Sequence, residues 1–247
     1  MQFAASLAAA MESGAVKNPQ AMKVAANKVM QAQAEDGSWP IDVANAVGSP
    51  ATYGVALATY LAWSSVKRAP MPETSAARQK AEARLRMVKP DSVPNAAVRL
   101  LFLANYHETT AAEAPSSLRR RRGNKAQTKR NLESPHVVSY SLTNGMTEAI
   151  APSLDFLRRA QTSDGGWGPY ADSPPEAFDS ALALLALAEF RTEPRVPEMI
   201  QRGRGFLLAT QLADGSWPAT TRPSGGESYA QQISTTSWAT LALLATD

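Results

Sequence analysis

At 247 residues the chain is long enough for one large domain or two small ones, and either would bury a substantial core. Apolar residues at 44% and charged residues at 19% describe a globular rather than a disordered polypeptide. The net charge of +3 comes largely from one basic run, which argues against a general nucleic-acid-binding face. The absence of cysteine excludes disulfides, thiol nucleophiles and Cys-ligated metals. No run of about 18 apolar residues is present, so no transmembrane span is expected, and the N-terminus lacks the positive region and long apolar core of a signal peptide. A cytoplasmic or membrane-peripheral location is the expectation.

In chain order, residues 1–12 read as the tail of a helix with no capping residue ahead of it, half of a helix pair. Asn18-Pro19 is a helix start, with Asn as N-cap and Pro in the first turn, and Met22, Ala25, Ala26, Val29 and Met30 follow at helical spacing. Asp36-Gly37 and Pro40 end that helix. Ser49-Pro50 opens an apolar helix from Ala51 to about Val66, carrying Tyr53, Tyr60 and Trp63 with no charge before Lys67, as a helix buried on most of its surface would be. Residues 74–88 read as a solvated outer helix, and Pro94 starts an apolar helix to about Tyr106. Residues 109–140 break the rhythm with Arg119-Arg120-Arg121-Arg122 and Lys125, Lys129 and Arg130, and are read as an inserted basic loop. That run is either a solvated insertion or a contact with an anionic membrane surface; no aromatic residues interleave with it, so base stacking is not expected.

The helical pattern returns at Ala151-Pro152 and runs to Ala160. Glu176 to Ala188 is nearly all apolar, Pro197 begins an amphipathic helix, and Ser234 to Ala245 closes the chain with another apolar helix. Through this series one phrase recurs three times: Gln33 to Trp39, Gln161 to Trp167 and Gln211 to Trp217, each with Gln, Asp, Gly and Trp at the same offsets. Each ends an amphipathic helix and precedes an apolar one, so the chain is built from helix-pair repeats. Trp167 and Trp217 are 50 residues apart and Trp39 and Trp167 are 128 apart, which corresponds to two periods plus an insertion of 28 residues. Between residues 88 and 94 the phrase is missing, and Met87-Val88-Lys89-Pro90 stands in its place. Amphipathic helices alternating with apolar ones imply two layers in an all-α fold, an α/α toroid in preference to an open solenoid.

Gly203, Phe206-Leu207, Gln211, Asp214-Gly215 and Trp217, preceded by Arg202, resemble the QW motif of squalene–hopene cyclases and related terpene cyclases. The second copy keeps Phe156-Leu157 and Gln161, and the first keeps mainly the Gln-to-Trp half. The resemblance covers most of the chain. It implies one toroid domain over residues 1–247, with the basic insertion at about 109–140. Its four helix pairs correspond to a shortened toroid or to part of a longer one. The same superfamily contains protein prenyltransferase β-subunits and bacterial repeat proteins of unassigned role. In the family the motif is structural, so Gln33, Trp39, Gln161, Trp167, Gln211 and Trp217 are assigned to helix-end bonding and packing, in keeping with side chains that are neither acids nor nucleophiles.

Class II terpene cyclases start by protonating an alkene or epoxide with a carboxylic acid held in a dry cavity. The resemblance places that acid in an Asp-x-Asp-Asp-Thr-Ala motif, which Glu176-Ala177-Phe178-Asp179-Ser180-Ala181 matches in part. Glu176 stands at the first acidic position, Asp179 at the last, and Phe178 where the donor belongs. Asp179 and Glu176 are therefore the candidate catalytic acids; the structural alternative for each is to complement the positive end of its own helix. Tyr53, Tyr60, Phe178 and Trp238 are the candidates to line an apolar cavity, with core packing as the alternative. The zinc site of the prenyltransferase branch has no cysteine to form it, and neither a metal nor another cofactor is expected. Two functions follow: an isoprenoid cyclase working through carbocations on an isoprenoid or other apolar small molecule, or a non-catalytic scaffold that binds an apolar ligand or another protein.

Overall fold

The structure, a computed structural model, describes residues 2–41, 54–69, 71–113, 144–221 and 227–247, and among these it is all-helical. In chain order the helices are α1 (Gln2–Glu12), α2 (Pro19–Gln31), α3 (Val55–Arg68), α4 (Thr74–Arg86), α5 (Val93–Glu113), α6 (Asn144–Ala160), α7 (Ala177–Ala188), α8 (Val196–Thr210) and α9 (Tyr229–Ala245). Tyr53, the helix start at Ser49-Pro50 and the arginine run from 119 to 122 lie outside the described residues.

Local chemistry sets the helix starts. Asn18 caps α2 by accepting the Gln20 amide at 3.0 Å, with Pro19 in the first turn where its missing N–H costs nothing. Ser228 and Gln231 form a reciprocal capping box at the start of α9, which therefore begins at Tyr229 instead of at Ser234. Two boundaries differ from the sequence reading. Helix α5 continues to Glu113, so residues 109–113 are helical and not part of an inserted loop; Ala111-Ala112-Glu113 favour helix, and the next proline is Pro115. Helix α6 starts at Asn144 and carries Pro152 inside it, so Ala151-Pro152 is not its start. Pro152 is exposed, on the side of the helix where the steric demand of the ring is most easily met.

The packing divides the helices into two layers. The odd-numbered helices pack in sequence, α1 on α3, α3 on α5, α5 on α7 and α7 on α9. The even-numbered helices lie against the odd-numbered ones, most clearly α4 against α3, α6 against α5 and α8 against α7. Burial follows the sequence composition. Ten of the twelve residues of α7 are buried, whereas α8 buries Val196, Met199, Ile200, Gly203, Phe206 and Leu207 along one stripe. A two-layer arrangement of this kind leaves the two sides of every inner helix covered, except at the ends of the series.

Candidate functional site

The three phrases fold alike. Each closes with a tight turn in which the residue after Gln donates its amide to the carbonyl before Trp: Ala34 to Ser38, Thr162 to Gly166 and Leu212 to Ser216, at 2.8–3.0 Å. The phrase glycines Gly37, Gly165 and Gly215 have φ of 82°, 91° and 84°, a left-handed geometry that favours glycine. The Gln amide crosses the turn, with Nε2 donating to the glycine carbonyl at 3.1, 2.8 and 2.9 Å in the three copies. Each indole is nearly or fully buried and turns its Nε1–H back onto the preceding helix, to Val29 O, Leu157 O or Leu207 O at 2.6–2.8 Å. That bond satisfies a helix C-terminal carbonyl and the buried indole donor together.

The phrases also join repeats. Gln33 Nε2 reaches Ala77 O in α4 at 2.9 Å, and Gln161 Nε2 reaches Met199 O in α8 at 3.0 Å. Between α4–α5 and α6, where the phrase is missing, Arg99 of α5 makes the corresponding link. Its Nη1 donates to Val88 O at 3.0 Å and its Nη2 to Ala149 O at 3.3 Å. Ala149 precedes Gln161 by the same interval as Met199 precedes Gln211, so the guanidinium bonds an equivalent place on its outer helix. The sequence reading missed Arg99; the available signal was a lone charge within Val98–Leu103, otherwise apolar.

A second missed set lies on the inner helices, near the starts of α3 and α7 and in the middle of α9. The amide of each phrase Trp donates to a hydroxyl there: Trp39 to Thr59 at 3.2 Å, Trp167 to Ser180 at 2.8 Å and Trp217 to Thr236 at 3.2 Å. Ser180 is the residue that matches Thr in the cyclase acid motif, and here it belongs to a contact made in all three repeats. One position earlier, where α7 has Asp179, α9 has Thr235, whose hydroxyl accepts the linker amide of Thr220 at 3.1 Å.

The candidate acids lie at the start of α7. Asp179 is in the first helical turn and wholly buried. Glu176 is the N-cap residue and half-buried; its side chain makes no capping bond, while its backbone N–H donates to Trp167 O at 2.9 Å. Phe178, beside them, is wholly buried and meets the half-buried Trp238 edge to face at 5.9 Å between ring centres. Tyr60 belongs to the same core. It packs on Trp63 at 5.9 Å, and its hydroxyl accepts from Asn105 Nδ2 at 3.3 Å. The structure thus brings Glu176, Phe178, Asp179 and Trp238 together, while Tyr60 belongs to an aromatic string that continues through Trp63 and Phe102 to Tyr106 within the same core.

A cavity of about 220 Å³ lies between α3, α4 and α5, with Thr59, Arg84, Leu85, Val88, Asp91 and Asn95 among its lining residues. None of Tyr60, Phe178, Asp179 and Trp238 lines it. Among the described residues no helix is long and apolar enough to cross a membrane. No family model matches the chain.

Proposed function

We propose that this chain is a squalene-cyclase-like repeat protein that keeps the α/α architecture of that superfamily, in the manner of a toroid wall, and acts as a non-catalytic scaffold. The observation that carries this reading is the use made of the region where the acid would stand. Phe178 occupies the donor position and packs against Trp238, Ser180 anchors Trp167, and Asp179 is enclosed in the first turn of α7. A proton donor for an alkene must reach its substrate, and ligand sites of drug size have volumes of roughly 300–1,000 Å³. The cavity between α3, α4 and α5 is smaller than that and has polar side chains in its wall.

The rival reading, an isoprenoid cyclase with Asp179 as acid, is tested directly. Purified protein incubated with squalene or geranylgeranyl diphosphate is expected to return the substrate unchanged by mass spectrometry. A cyclised product that disappears in Asp179→Asn would overturn the scaffold reading and restore the cyclase.

A further inference from the structure

The joint without a phrase leaves two buried polar atoms unused. Arg99 commits its two terminal nitrogens to carbonyls, Nη1 to Val88 O at 3.0 Å and Nη2 to Ala149 O at 3.3 Å. Its Nε is buried and has no hydrogen-bond partner among the described residues. On α6, Ser153 is wholly buried and its Oγ has no partner either. Leaving such an atom unpaired forfeits the hydration it had in the unfolded chain, which is why native interiors contain few of them.

A serine or threonine inside a helix has a ready acceptor in the carbonyl four residues earlier. Ser65, Thr210, Ser237 and Thr240 all use it, bonding Leu61 O, Phe206 O, Ile233 O and Thr236 O at 2.7–2.9 Å. For Ser153 that carbonyl is Ala149 O. One of its lone pairs belongs to the helix ladder and the other receives Arg99 Nη2, so the hydroxyl is turned away from it. The two unpartnered atoms nonetheless meet around this carbonyl. Arg99 Nε is two bonds from Nη2, and Ser153 stands one helical turn from Ala149 on the same face.

The other joints hold something different here. Gly203 corresponds to Ser153, as Met199 corresponds to Ala149, and a Cβ at Gly203 would lie 2.6 Å from Cζ3 of Trp167. An indole therefore fills the space in front of the outer helix at the second phrase. At the first phrase the corresponding residue is Ala81, wholly buried and apolar. No phrase tryptophan precedes α6, and the guanidinium that takes over the joint has fewer atoms than an indole. A small polar residue and a smaller neighbour together make a place for a small polar molecule.

We propose that one water molecule is a fixed part of this joint, bound between Arg99 Nε and Ser153 Oγ. It accepts the Nε–H and shares its second bond with the serine hydroxyl, which satisfies both atoms. A neutral ligand suits the site better than an anion. The Arg99 charge already faces two carbonyls, and Val88 O follows directly on the C-terminus of α4, the negative end of that helix. Where a phrase closes a joint with a glutamine and an indole, Arg99 and the water close this one. The water is independent of turnover and belongs equally to a scaffold and to a cyclase.

Two measurements on the full chain test it. A high-resolution crystal structure is expected to show a water within about 2.7–3.2 Å of both Nε and Oγ, with no anomalous peak there after a bromide soak. In urea denaturation, Ser153→Ala is expected to raise the unfolding equilibrium constant about fivefold in the wild type. In the Arg99→Met background the same change should raise it by less than about twofold, because the bridge needs both residues. A hydroxyl bonded directly to Nε or to Ala149 O would overturn the proposal, as would a bromide peak or equal effects of Ser153→Ala in the two backgrounds. Cyclised product from squalene would sink the scaffold reading and leave the water standing.

Discussion

Gly165 and Gly215 occupy the same place in the repeated turn with nearly the same φ, 91° and 84°, yet their surroundings differ. A Cβ at Gly165 would lie 2.4 Å from the backbone carbonyl of Arg202, which cannot swing aside, while at Gly215 nothing approaches within 4.0 Å. Gly215→Ala should therefore cost only the left-handed penalty, about 1–2 kcal/mol, and Gly165→Ala that penalty plus the displacement of α8, about 3 kcal/mol or more. The shift in urea midpoint measures the difference, and equal losses would mean that the glycine answers only to its own turn. The phrase aspartates carry a separate signature. Ser38 holds the Asp36 carboxyl below its ordinary range through its hydroxyl first and its amide second, with the Arg84 charge adding to the effect; Ser216 does the same for Asp214. A lowered folded pKa contributes stability that is complete above the ordinary carboxylate range and is lost as pH falls through the lowered value. Ser38→Ala should thus melt below the wild type at neutral pH, with the gap narrowing as acid is added. A gap unchanged by acid would show that the hydroxyl acts by packing alone.

At the scale of the element, the informative junction is the one without a phrase. The repeat period survives there because Arg99, on the inner helix, bonds Val88 O and Ala149 O. Removing a charged donor from two carbonyls costs about 1.5–3 kcal/mol. Arg99→Met, which keeps the apolar stem, should show a loss in that range by chemical denaturation, while substitution of the exposed Arg158 should cost well under 1 kcal/mol. Similar losses at both positions would remove Arg99 from the junction. Most of the helices were legible because their signals are local: Asn18-Pro19, the uncharged faces of α3 and α7, and the stripe on α8. The end of α5 and the start of α6 were not. The break in hydrophobic rhythm before residue 114 resembles a loop in the sequence, but a helix can continue past the last residue it buries. Pro152 reads as a start because proline favours first turns, although an exposed proline can also sit inside a helix that packing holds in place.

For the whole molecule, the three phrases and the alternation of amphipathic and apolar helices were sufficient to establish an all-helical, two-layer repeat, because both are short-range patterns that each repeat restates. The sequence also located the acids at the start of an apolar helix, since charge and apolarity are properties of the residues themselves. Whether those acids reach a cavity depends on what packs above them, and only the tertiary structure placed Trp238 on Phe178 and enclosed Asp179. The same holds for the joints between repeats. Arg99, Thr59, Ser180 and Thr236 are ordinary residues in sequence, and their roles depend on partners from 11 to 50 residues away. Period, helix type and phrase are written locally and can be read one repeat at a time. Joints and enclosure arise only when repeats meet, because they depend on which neighbour lies against each surface.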